Sequence, residues 1–139
     1  RELIPSANRR KGSICSNDIS VPVEKIPEFI TKLDRSISSL SKDILVNCFG
    51  HVGDGNLHYN IFPSSADNRH DLETKRLQLL NIVNNLVNKY SGSISAEHGI
   101  GRIKVNELNK FEDPGKLYMM KLIKSVVDPK NLLNPGVIF

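Results

Sequence analysis

Three of the four histidines in this chain, His51, His58 and His98, fall in two glycine-punctuated segments, GHVGDGNLH (50–58) and SAEHGIG (95–101). The second segment also sets Glu97 directly before His98. Imidazole nitrogen and carboxylate oxygen are the donor set that binds zinc, manganese or ferrous iron, and a histidine beside the carboxylate is placed to carry a proton. Taken singly, each residue also has a structural reading. A lone histidine on a strand usually packs or hydrogen-bonds, and Asp54 between glycines suits a turn. Together, the histidines and the acid-histidine pair point to one site in two pieces.

The surrounding pattern predicts the elements that must position this site. Ile19 to Val21 reads as a short strand. Pro22 then opens a helix over 23–40, where Ile26, Phe29, Ile30, Leu33, Ile37 and Leu40 recur at spacings of three and four. DILVNCFGH (43–51) and NLHYNIF (56–62) are rich in β-branched and aromatic residues and flank VGDG, which predicts a hairpin. A second amphipathic helix is expected between Asp67 and Tyr90, ended by Ser91-Gly92, and SISA (93–96) reads as a fourth strand. Two helical stretches follow, the last capped by Asp113 with Pro114 in its first turn. The order is βαββαβ plus a C-terminal helical tail. The fold class expected is therefore α+β: a ferredoxin-like antiparallel sheet with two helices on one face and the other face free for a ligand.

An even-numbered hairpin loop would put odd-numbered residues of the first strand on the same face as even-numbered residues of the second. Asn47, Phe49 and His51 would then share a face with Asn56, His58 and Asn60. Same-face neighbours lie roughly 4.5–8 Å apart, so two imidazoles can reach one ion. Ile44, Val46 and Cys48, with Leu57, Tyr59 and Ile61, would turn to the helices. Glu97, after the fourth strand, would complete a set of two histidines and one carboxylate with positions left for substrate or water.

At 139 residues and 39% hydrophobic content, the chain fits one domain with a moderate core. No apolar run approaches the roughly 18 residues that span a bilayer, and RELIPSANRRKG lacks the apolar core of a signal peptide, so a soluble cytoplasmic protein is expected. Cys15 and Cys48 have no CxxC partner and read as reduced thiols. The formal charge of +4 is dispersed along helical faces, tryptophan is absent and aromatics are few, which argues against a nucleic-acid surface.

At these residues the chain resembles the C-terminal domain of the FAD-linked oxidases, the flavin-dependent 2-hydroxyacid dehydrogenases. That group includes D-lactate dehydrogenases, D-2-hydroxyglutarate dehydrogenase and the glycolate oxidase FAD subunit. The resemblance begins at Arg1-Glu2, continues through DISVPVE (18–24), GHVGDGNLHYN (50–60) and SAEHGIG (95–101), and ends in DPKNLLNPG (128–136). It implies that residues 1–139 form one substrate or cap domain. That domain would lie over an FAD held by a separate domain of the same polypeptide, and an unidentified acceptor would take the electrons.

The metal ligands of the family fall on His51, His58 and Glu97, with zinc or manganese the ions implied, and its catalytic base falls on His98. Asn60 matches a substrate-contacting asparagine, Arg1 the arginine that binds the substrate carboxylate, and Asn134 a residue of the segment that returns to the flavin. Two positions depart from the pattern. Ser16 stands where relatives often place a lysine, and Pro5 where D-2-hydroxyglutarate dehydrogenase has a threonine that contacts substrate. A second substrate carboxylate then lacks its usual partners, which puts D-2-hydroxyglutarate in doubt and leaves room for a monocarboxylate such as lactate or glycolate. The competing expectation is a non-catalytic metal or small-molecule binding module on the same topology. Because the chain has no recognisable dinucleotide fingerprint, alone it should neither hold FAD tightly nor turn over substrate.

Overall fold

The structure is a computed structural model and describes residues 3–139, so Arg1 lies outside it. The chain forms two compact units, Arg1–Glu97 and His98–Phe139. In the first, α1 (Leu3–Lys11) leads into β1 (Cys15–Ser20), a single 3-10 turn (Val23–Lys25) and α2 (Ile26–Leu40). Then come β2 (Ile44–Phe49), a second 3-10 turn (Val52–Asp54), β3 (Asn56–Pro63), α3 (Arg69–Thr74) and α4 (Arg76–Lys89). The strands form an antiparallel sheet in the order β1-β3-β2, so the class is α+β as expected.

The register follows the parity that the sequence predicts. Asn47 pairs with Asn60 and Phe49 with His58 across β2 and β3, while Asp18 pairs with His58 and Ser16 with Asn60 across β1 and β3. Residues paired this way share one face, so β3 alternates core and site along its length. Leu57, Tyr59 and Ile61 are buried against Phe29, Leu33 and Ile37 of α2 and Leu79, Val83 and Val87 of α4. Each such side chain contributes roughly 1.5–3 kcal/mol relative to an exposed one, so the apolar parity alone holds the polar set to the opposite face. The Tyr59 hydroxyl reaches Asp34 at 2.6 Å, and burial, followed by that bond, pushes the phenol well above its ordinary value. Cys15 and Cys48 are both free, and burial raises each thiol to about 11.

Four features differ from the expectation. First, α1 covers part of the supposedly open face: Asn8 Oδ1 accepts from Asn47 Nδ2 at 2.9 Å, and Lys11 stands over the buried Phe62 ring. The free part of that face is therefore the end nearer His58. Second, the helix expected over 67–90 is divided at Lys75. The Thr74 hydroxyl takes the Asp71 carbonyl at 2.7 Å, a local bond that competes with helix continuation. Third, Val46 lies on an edge strand and is 39% exposed despite its core-facing parity.

Fourth, SISA makes a single bridge, Ser20 to Ser93, in place of a full strand. Ser93 Oγ bonds Ser95 at both backbone groups, which pulls the chain out of the ladder. The approach to β1 is nonetheless close. A Cβ on Gly92 would stand 2.1 Å from the Ser20 carbonyl oxygen, so only glycine fits there.

In the second unit, α5 (Val105–Phe111) precedes α6 (Pro114–Val127). Asp113 caps α6 as predicted, its carboxylate accepting from Lys116 N at 2.8 Å with Pro114 in the first turn. Asp128 then organises the DPKNLLNPG segment, accepting from the backbone of Leu132 and Leu133 at 2.9 Å each and from Lys124. Lys124, followed by these amides, holds the Asp128 carboxyl below its ordinary 3.8.

Candidate metal and active site

The turn between β2 and β3 sets His51 beyond the end of its strand, where parity no longer governs it. The His51 carbonyl accepts from Asp54 N at 3.0 Å and Asn56 N at 3.2 Å, and Gly55 closes the turn at φ +75°. A side chain at Gly55 would be both strained and 2.2 Å from the Val21 carbonyl oxygen, so the glycine is what brings the turn against β1. The His51 amide in turn donates to Asn56 Oδ1 at 3.3 Å. The imidazole is left half-exposed at the rim.

Glu97 meets both histidines. Its Oε1 lies 2.7 Å from His51 Nδ1, and its Oε2 lies 3.4 Å from His58 Nε2. His58 is the more enclosed, with the Phe49 ring packed on it at a centroid distance of 5.1 Å. Its other nitrogen, Nδ1, faces Asp18 Oδ1 at 3.8 Å. Glu97 is held from behind by β1: Ala96 N donates to the Asp18 carbonyl at 3.3 Å, and Glu97 N donates to Asp18 Oδ2 at 2.8 Å.

Glu97 therefore brings the two histidines to one carboxylate, His51 on Oε1 and His58 on Oε2, and the chemistry of these donors fits a divalent ion. Two donors bound to one tetrahedral zinc at about 2.1 Å stand about 3.4 Å apart. The His58–Glu97 separation of 3.4 Å matches that spacing. The 2.7 Å His51–Glu97 contact is a direct hydrogen bond that binding would lengthen. A set of two imidazoles and one carboxylate suits zinc or manganese and leaves coordination positions for substrate.

The other expected residues fall variously. Asn60 is buried on the site face, its Nδ2 donating to the carbonyls of Asn47 and His58 at 3.3 and 3.2 Å. His98 follows Glu97 directly and begins the second unit. Asn134 lies in the second unit at φ +47°, in the turn where Val137 N bonds its carbonyl at 3.1 Å. Arg1 lies outside the described residues. Sequence reasoning gave Asp18 no role and set Asn56 on the site face without one; the two are 3% and 2% exposed and joined at 2.9 Å beside the histidines. The available signal was that Asp18 is the only charged residue in CSNDIS.

The model of the family "FAD linked oxidases, C-terminal domain" matches residues 1–138. A D-2-hydroxyglutarate dehydrogenase of Stutzerimonas stutzeri is 42% identical over 123 residues, covering 88% of this chain and 26% of that protein. The mitochondrial D-2-hydroxyglutarate dehydrogenase of Arabidopsis thaliana is 40% identical over 136 residues, 97% of this chain and 23% of its own length. An uncharacterized FAD-linked oxidoreductase of Mycobacterium tuberculosis is 35% identical over 122 residues, 88% and 25% respectively. The chain thus spans about a quarter of the length of the relatives it matches. On this match, the chain belongs to the FAD-linked oxidase C-terminal domain family.

Proposed function

We propose that residues 1–139 are the substrate-facing cap domain of an FAD-dependent enzyme that oxidises a small D-2-hydroxy acid to the 2-oxo acid. His51, His58 and Glu97 hold a divalent ion, zinc or manganese, and His98 is the base. The observation that carries this reading is the convergence of His51 and His58 on the two oxygens of Glu97. A bound ion supplies Lewis acidity at the substrate 2-hydroxyl, and the flavin, held by the remainder of the polypeptide, supplies the hydride acceptor.

The chain's own residues do the rest. His98 takes the hydroxyl proton onto an imidazole nitrogen, Arg1 binds the substrate carboxylate by charge, and Asn60 orients the substrate from the face it shares with His58. Asn134 contacts the flavin. The second unit exposes an apolar run on α6, including Met119, Leu122, Ile123 and Val126. That surface supports packing against the FAD-binding part of the same polypeptide.

The substrate is the finer question. The relatives named D-2-hydroxyglutarate dehydrogenase favour a dicarboxylate. Ser16, opposite Asn60 on the site face, offers a second carboxylate no positive charge and favours a monocarboxylate. Among the described residues no helix is long and apolar enough to cross a membrane. A cytoplasmic enzyme remains part of the reading, although the Arabidopsis relative is named as mitochondrial.

The test is anaerobic mixing of the purified, flavin-loaded full-length protein with D-2-hydroxyglutarate, D-lactate or glycolate. Bleaching of the oxidised flavin band by at least one of them is expected. No bleaching by any 2-hydroxy acid would sink the proposal. The isolated chain is expected to purify colourless and inactive.

A further inference from the structure

Two buried side chains stand behind the ligand set. Asp18 Oδ1 accepts from Asn56 Nδ2 at 2.9 Å, and Asp18 Oδ2 accepts from the Glu97 amide at 2.8 Å. Asn56 Oδ1 accepts from the His51 amide at 3.3 Å, and Asn56 Nδ2 also reaches the Ile19 carbonyl at 3.4 Å. The backbones that carry His51 and Glu97 come from distant parts of the chain, yet they are tied together through this pair. His58 is the looser neighbour: Asp18 Oδ1 faces its Nδ1 at 3.8 Å, longer than a hydrogen bond, while Nε2 lies toward Glu97.

From this geometry we infer that Asp18, acting with Asn56, is a positioning residue for the metal site, aligning all three ligands from behind. The inference rests on the proposed ligand role of His51, His58 and Glu97. A carboxylate facing the distal nitrogen of a ligating histidine fixes which nitrogen turns to the ion and raises its donor strength. The second function is to tie backbones together: both carboxylate oxygens accept from N–H donors.

An asparagine at 18 has the same shape but only one acceptor oxygen. Its NH2 would have to face either the Asn56 amide or the Glu97 N–H, donor against donor, and one of the two ligand backbones would be released. The burial of Asp18 makes that loss hard for water to repair. The pair is thus selective for aspartate by charge pattern rather than by volume.

The test uses the full-length protein in its flavin-loaded form, stripped of metal and titrated with Zn2+ against a chromophoric chelator, with Co2+ spectra reporting coordination geometry. Asp18→Asn is expected to lower Zn2+ affinity by about 10–100-fold and to change the Co2+ visible bands, with the flavin spectrum and apo-protein melting retained. Asn56→Ala, which cuts the connection to His51 but leaves the Glu97 amide bonded, is expected to weaken Zn2+ by about 10-fold. If the wild type binds neither ion stoichiometrically, the metal reading itself fails. If the wild type binds and Asp18→Asn matches it in affinity and Co2+ spectrum, the positioning inference alone is overturned. If Asp18→Asn does not fold, Asn56→Ala decides by the same measurements, and failure of both to fold would assign the pair to the core and overturn the inference.

Discussion

His51 Nδ1 lies 2.7 Å from Glu97 Oε1, although one residue belongs to the turn after β2 and the other follows the bridge to β1. The contact joins the two glycine-punctuated segments. On the proposed ligand set, Glu97→Gln keeps its size but removes the charge that an ion would need from its one anionic protein ligand. Metal content of the full-length protein should fall from about one ion per chain to well below that, as read by elemental analysis after gel filtration. Unchanged content would remove Glu97 from the ligand set.

His98→Ala in the full-length enzyme should reduce turnover by a factor of about 10² to 10⁴, the usual contribution of a positioned proton carrier. Stopped-flow flavin reduction at saturating substrate separates the chemical step from reoxidation by the acceptor. A variant that reduces its flavin at the normal rate has no base at this position.

Ser16 is exposed, pairs with Asn60 across β1 and β3, and shares a hydrogen bond with Ser13, Oγ to Oγ at 2.8 Å. A lysine there would place an ammonium on the site face. Ser16→Lys should raise the ratio of kcat/KM for D-2-hydroxyglutarate over D-lactate by about tenfold, equivalent to one charge-assisted hydrogen bond of about 1.5 kcal/mol. If the ratio does not move, position 16 does not read the distal end of the substrate.

The cysteines give a pH-dependent test of burial. Both thiols are raised to about 11, chiefly by burial, so at pH 8 only about 0.1% of each is thiolate in the folded chain. A thiol raised in the folded state favours folding while it stays protonated, and that contribution fades as pH climbs past the unfolded value toward 11. Alkylation by iodoacetamide at pH 8 should therefore be slower by about 100-fold or more than in denaturant. Labelling at the denatured rate would show that neither side chain is enclosed as described.

The sequence by itself determined the elements whose period is strong and local. The stripe of Ile26, Phe29, Leu33 and Ile37 makes α2, the cap at Asp113 starts α6, and the alternation in β2 and β3 sets Asn47 with Asn60 and Phe49 with His58. Local bonding from Ser93 and Thr74 shortened a strand and divided a helix, because a hydroxyl that satisfies a nearby backbone group competes with the regular ladder. The N-terminal helix, with no buried residue of its own, carries too weak an apolar period to be read from sequence.

The site divides in the same way. Residue type and glycine spacing singled out His51, His58 and Glu97 as candidate ligands, because donor chemistry is a property of side chains. Their convergence was decided by tertiary structure, through the approach of Gly92 to Ser20 and of Gly55 to Val21 and through a buried Asp18–Asn56 pair. The charge of Asp18 stands out within its strand, but its partners emerged only in register with His58, since a carboxylate's partners depend on which strand lies beside it and no spacing along one strand encodes that neighbour.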